Sequence, residues 1–231
     1  MDEIINKINF VGERVFYNPT PLIDYEMLIK NSLGSNTYRG FHKINKTEQG
    51  SKDVFEYTFN KNKTSIIETI NQIKTENELD EYENKICEEL LEGLKINIIS
   101  KQLNSFNKIR KPVDIVFEHL VSMGEDFHEA RKNLTRHLFL PLDSQMFQSE
   151  FVFSNLEVLH MQIKRTYTFK DIQQKEHYRT IQKFLKEKSE KLGLRCRIFF
   201  DLIWNERYNT KGNRCKSGIR YAKRNFNRCC P

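Results

Sequence analysis

The sequence predicts an all-α protein, and three observations carry that prediction. From Ser65 onward, apolar residues recur every three or four positions over long runs. Residues that cap or stop helices (Pro112, Gly124, Pro141, Asp143-Ser144 and Gly193) fall where those runs end. The segment that reads as β-structure, a strand and turn at "VFEYTFNKNK" (54–63), is short, so the fold is mainly helical with minor β confined to the region before residue 63.

Element by element, residues 2–16 predict a first helix, with Ile4, Ile5, Ile8, Val11 and Val15 near helical spacing. Residues 17–62 are mixed, broken by Pro19 and Pro21 and by the polar "NKTEQGSKD". "SIIETINQIK" puts Ile66, Ile67, Ile70 and Ile73 on one face. An acidic stretch, 76–92, carries eight acids and one lysine. It leads into a stripe through Cys87, Leu90, Leu91, Leu94, Ile98, Ile99 and Leu103, which predicts one buried helix over 81–103. "SFNKIRKP" reads as a basic connector closed by Pro112, "VDIVFEHLVSM" as a short helix ending at Gly124, and "DFHEARKNLTRHLF" as another ended by Pro141. Asp143-Ser144 caps the next segment. "YTFKDIQQKEHYRTIQKFLKEKSEKLG" predicts a long amphipathic helix stopped by Gly193, and "CRIFFDLIWNERY" a last, aromatic one.

With 231 residues, 38% hydrophobic and 30% charged, the chain suits a single globular unit. Its parts read as an N-terminal segment 1–80 packed on a helical core 81–208, followed by a tail 209–231. No apolar run approaches a membrane span, and "MDEIINKINF" does not resemble a signal peptide, so a cytoplasmic location is expected. The five cysteines lack CxxC spacing and predict reduced thiols rather than a disulfide framework or zinc site. The net charge of +7 is concentrated in residues 211–231, which carry seven of the 38 basic residues and no acid; the remaining 31 balance the 31 acids. Such a tail suits a polyphosphate partner or a solvated end.

Three motifs stand in order along the second half: "IISKQLNSFNK" (98–108), "LPLDSQMF" (140–147) and "FFDLIWNERY" (199–208). Together they resemble the helix-hairpin-helix DNA glycosylases, over roughly residues 85–208. The first resembles the helix end whose polar residues wedge into the DNA stack, which implies that role for Gln102 and Asn104. The second resembles the segment bearing the family's catalytic aspartate, here Asp143. The third resembles the late helix lining the base pocket, which implies Phe200, Asp201 and Trp204. The hairpin position holds "SMGEDFHEA", with one glycine, and His128 stands where some members carry a Schiff-base lysine. The resemblance therefore implies a monofunctional enzyme, with His128 as polar support beside the pocket. It also implies a two-lobed helical fold, no iron–sulfur cluster or other cofactor, no metal, a double-stranded DNA partner and a monomer associated with the nucleoid.

The chemistry explains why these residue types would be needed. Breaking an N-glycosidic bond develops positive charge on the sugar, which a nearby carboxylate stabilises. A helix N-terminus keeps such a carboxylate ionised. The base must leave the stack, which calls for a wedge and for aromatic surface such as Phe200, Trp204 or Tyr208. Lys101, Lys108, Arg110 and Lys111 then read as phosphate contacts. Taken singly, Asp143 is also an ordinary N-cap, Trp204 an ordinary core residue, and the lysine run an ordinary solvated loop.

Two other enzyme readings fit fragments of the chain. Arg131 and His137 have the spacing of an all-helical HEPN-type ribonuclease, which would require a dimer. Asp143, Glu157 and "QIK" (162–164) have the order of a PD-(D/E)xK nuclease, which would require Mg²⁺ and a sheet around 150–168. The non-enzymatic reading is a helical module that binds nucleic acid or a partner.

Overall fold

Two helices, Glu76–Asn97 and Phe106–Met123, pack on each other and meet several of the shorter elements. A computed structural model describes residues 2–19, 21–38, 40–45 and 49–209. The fold is all-α, with no strand among the described residues; Ile23–Gly124 and Lys43–Ile98 form isolated β-bridges. The basic tail lies outside the described residues, as do Cys215, Cys229 and Cys230. Cys87 and Cys196 are buried free thiols.

The chain runs through α1 (Asp2–Gly12), α2 (Tyr25–Ser32), α3 (Ser35–Tyr38), α4 (Ser51–Lys61) and α5 (Lys63–Gln72). There follow α6 (Glu76–Asn97), α7 (Phe106–Met123), α8 (Arg131–Thr135), α9 (Ser144–Gln148), α10 (Asn155–His160) and α11 (Lys175–Leu192), then a 3₁₀ helix, Arg197–Asn209. Helix α6 packs on α4 and α7, α7 also meets α2 and α11, and the final 3₁₀ helix lies against α1.

Several boundaries differ from those expected, each for a local reason. Residues 54–63 are helical rather than a strand and turn: Val54, Phe55, Thr58 and Phe59 are buried at helical spacing, and Asp53 Oδ2 accepts the Gly50 N–H at 2.8 Å. Helix α6 starts earlier than residue 81 because Thr75 and Glu78 form a capping box, and it ends at Asn97, before one 3₁₀ turn at Ser100–Gln102. The connector expected over 105–112 is the first part of α7, with Pro112 inside the helix. No side chain caps this N-terminus; instead the Phe106 and Asn107 amides donate to the Gln173 and Ile172 carbonyls, both at 3.1 Å. Residues 126–139 hold only a 3₁₀ turn (Glu125–Phe127) and α8 before the chain extends, and the helix expected over 167–193 begins at Lys175. It ends where expected, at Gly193, whose φ of +74° is the left-handed conformation that glycine takes without strain.

Candidate functional site

Asp143 sits at the end of an extended segment, 137–143, whose backbone is held by side chains from distant helices. Gln182 of α11 spans Leu140: Oε1 accepts its N–H at 3.1 Å and Nε2 donates to its carbonyl at 2.7 Å. Asn107 of α7 donates to the Leu142 carbonyl at 3.0 Å. Arg197 donates to the Leu138 and His137 carbonyls, both at 2.9 Å. These bonds supply what a neighbouring strand would supply in a sheet. Leu138, Leu140, Pro141 and Leu142 are buried, which fixes the segment against the core.

Both oxygens of the carboxylate at its end accept hydrogen bonds. Asp143 is the N-cap of α9: Oδ1 accepts the Gln145 and Met146 N–H groups at 2.9 and 3.2 Å. Oδ2 receives Lys111 Nζ at 3.2 Å, with the two side chains 30% and 14% exposed. The lysine also stands 5.2 Å from the Phe169 ring centre. That ring is half-buried in a turn closed by Asp171, whose carboxylate accepts the Thr168 N–H at 2.7 Å and its hydroxyl at 2.8 Å. Beyond Phe169 lies Gly40, where a Cβ would come within 2.9 Å of Lys108 Cε and 3.6 Å of Phe169 Cζ. Asp143, Lys111, Phe169, Gly40, Lys108 and Gln102 thus form a chain of contacts along one side of α7.

Of the four expected phosphate contacts, only Lys101 is exposed. Lys108 is buried: its ammonium donates to the Gly40 carbonyl and to the Gln102 carbonyl (2.6 Å), 4.8 Å from the Phe41 ring centre. Burial and the nearby Lys170 lower its pKa. Arg110 is a clear correction. It is fully buried and donates to Asp80 (2.9 Å), Asn84 (2.9 Å), Asp114 (2.7 Å) and Glu83. A guanidinium enclosed by three carboxylates does not reach a phosphate. Lys111 faces Asp143.

In the cage around Arg110, burial pushes the Glu83 carboxyl well above the usual range and raises Asp114 to about 6. Burial also opposes ionisation of Asp80, but Arg110 and Arg179 outweigh it and hold that carboxyl low. The cage touches the extended segment, since Arg110 and Arg197 lie 4.7 and 4.3 Å from the Phe139 ring centre.

The remaining expected positions scatter. The Gln102 carboxamide oxygen accepts the His42 N–H, which ties it to a loop, whereas Asn104 is exposed. Phe200 is fully buried, edge-on to Phe151 at 6.3 Å, so it is a core residue and not an open pocket wall. Asp201 is half-buried, and the side chains of Trp204 and Tyr208 lie outside the described residues. His128 also needs correction as a pocket residue: its side chain is 70% exposed, with Nδ1 3.3 Å from Glu129. The hairpin amides are taken up internally: Gly124 N–H donates to Leu120, Glu125 N–H to Ile23 and Phe127 N–H to Gly124. A phosphate grip there would have to displace these bonds.

The residues of two rival readings are engaged in local structure. Arg131 is buried and closes the end of α7 on the Val121 (2.8 Å) and Gly124 (2.6 Å) carbonyls; His137 is held by Arg136 at 3.2 Å, its pKa lowered by burial and that arginine. Glu157 completes a capping box with Ser154 and pairs with Lys188 at 2.5 Å, in a helical rather than strand setting. Among the described residues, no group of three His, Cys, Asp or Glu side chains is placed to hold a metal ion, and no helix is long and apolar enough to cross a membrane.

Comparison with protein-family models, with curated proteins and with solved structures found no match for this chain.

Proposed function

We propose that the protein is a monofunctional DNA glycosylase, with Asp143 as the carboxylate that stabilises the sugar cation or directs the attacking water. The observation that supports this is the placement of Asp143. It is a partly exposed carboxylate at the end of a clamped extended segment, charge-balanced by Lys111, which itself stands over the half-buried Phe169 ring. A carboxylate so held needs little reorganisation as positive charge develops nearby. In this reading Asn104 and Lys101 are the exposed members of the wedge and phosphate sets, and the partner is double-stranded DNA carrying a damaged or modified base.

The test is a base-release assay on a panel of damaged and modified duplexes, followed by alkali. The expected result is strand breakage only after alkali, lost by a factor of about 10² or more in Asp143→Asn, the scale for removing one electrostatic catalytic group. Asparagine retains the cap, so the fold should survive. Undiminished excision by the variant would remove Asp143 from the chemistry. Failure to release any base while DNA is still bound would leave a helical binding module, the reading in which Asp143 only caps α9 and pairs with Lys111.

A further inference from the structure

A cleft of about 350 Å³ opens between α6, the start of α7 and the lead into α11. One stripe of α6, Asn84, Cys87, Glu88 and Leu91, lines it at i, i+3, i+4 and i+7; Leu103, Asn104 and Ser105 before α7, Phe106 and Ile109 of α7, and Gln173 and Lys175 at the start of α11 complete it. Asn107 and Lys111, which hold the Asp143 segment, point from roughly the opposite side of α7, so this space is not the surroundings of Asp143. Its volume falls within the range of small-molecule sites, about 300–1,000 Å³.

Three features define what would fill it. Asn84 is 5% exposed, and its orientation is set because Oδ1 must accept from Arg110 Nη1 at 2.9 Å; Nδ2, an N–H donor, is buried without a hydrogen-bond partner among the described residues. A buried donor left open costs about 1–3 kcal/mol, which an acceptor from a ligand would recover. Glu88 and Lys175 line the same cleft, and neither side chain forms an ion pair or hydrogen bond among the described residues. The walls between them, Leu91, Phe106 and Ile109, are apolar.

We propose that this cleft binds a planar heterocycle of nucleobase size. A carbonyl or ring-nitrogen acceptor would face Asn84, N–H groups would face Glu88, a further acceptor would face Lys175, and the flat face would lie against Phe106 and Leu91. The group facing Asn84 is neutral, because the neighbouring Arg110 is already matched by the carboxylates of Asp80, Glu83 and Asp114. An anion at that depth would add charge where none is left to offset. A zwitterionic amino acid, which also matches Glu88 and Lys175, has no neutral acceptor to offer Asn84.

Titration of the full chain with guanosine, followed by protein NMR shifts or calorimetry, tests the proposal; phenylalanine serves as the zwitterionic comparison. Guanosine should bind in the cleft. Glu88→Gln should weaken it about tenfold, the scale of one charge-assisted hydrogen bond, and Leu91→Trp should abolish it by filling the space. Glu88 is exposed and Leu91 half-buried, and melting curves verify that both variants fold. Absence of guanosine binding at millimolar concentration, equal binding by both folded variants, or binding of phenylalanine in place of guanosine would each overturn it. The base-release assay reads Asp143 alone, so either proposal can fail while the other stands.

Discussion

Arg110 and Lys111 are adjacent in one basic run and meet opposite fates. Arg110 is fully enclosed by three carboxylates, an amide and two aromatic rings. Lys111 forms one ion pair with a partly exposed aspartate beside one ring. Neighbouring residues on a helix point about 100° apart, so one step turns a charge from the core to the surface. The contrast separates architecture from chemistry: a fully satisfied buried cation fixes helices in place, whereas a single, partly exposed pair leaves a carboxylate that solvent or a ligand can reach.

The largest expected effect comes from opening the enclosed side. Arg110→Ala would leave Asp80, Glu83 and Asp114 without their shared cation and cost about 3–5 kcal/mol, enough to abolish cooperative thermal unfolding or lower Tm drastically. A near-native melting curve would mean that the cage is not structural. Next is the frame that carries Asp143. Gln182→Leu leaves the buried Leu140 N–H and carbonyl unpaired, with an expected loss of about 2–3 kcal/mol in denaturant unfolding and, if Asp143 is catalytic, a further loss of base release.

A pH effect separates the two sides more finely. The Asp114 carboxyl, raised to about 6, and the raised Glu83 carboxyl hold protons in the folded protein that they release when unfolded. For Asp114, between the unfolded value near 4 and the folded value of about 6, the native state binds more protons, so its contribution to stability is full below that window and declines as pH rises through it; the raised Glu83 carboxyl acts in the same direction. The wild type should therefore lose more Tm than Glu83→Gln between pH 5 and pH 7.5, by a few degrees. Identical pH profiles would remove the raised Glu83 carboxyl from the account. The smallest change belongs to the open side: Asp143→Ala should cost only about 1 kcal/mol, one N-cap and one exposed pair. A much larger loss would make Asp143 architectural like Arg110.

These two sides were not equally legible in the sequence. The Asp143 cap and the Gly193 stop are local patterns, and the structure contains both. The apolar stripe likewise marks α6, although the capping box at Thr75-Glu78 moves its start. Charge alone does not say which way a residue points, so Lys101, Lys108, Arg110 and Lys111 looked alike. Arg110 has one local partner, Asp114 at i+4; Asp80 and Glu83 lie in the acidic stretch 30 and 27 residues earlier. Val54, Phe55, Tyr57 and Phe59 have strand-forming side chains, yet burial of 54, 55, 58 and 59 is helical, so packing overrode propensity. Gln182 and Arg197 carried no local signal, because their partners are carbonyls and amides brought close only by the fold.

That clamp also sets an order of assembly. The hydrogen bonds holding 137–143 span 42 residues to Gln182 and 59–60 to Arg197. Until both are synthesised and packed, the segment is an unpaired strand with open donors and acceptors, a surface on which another chain can pair. A nascent chain stopped before residue 182 therefore carries the carboxylate with Asn107 and Lys111 but without the Gln182 and Arg197 bonds that complete its frame.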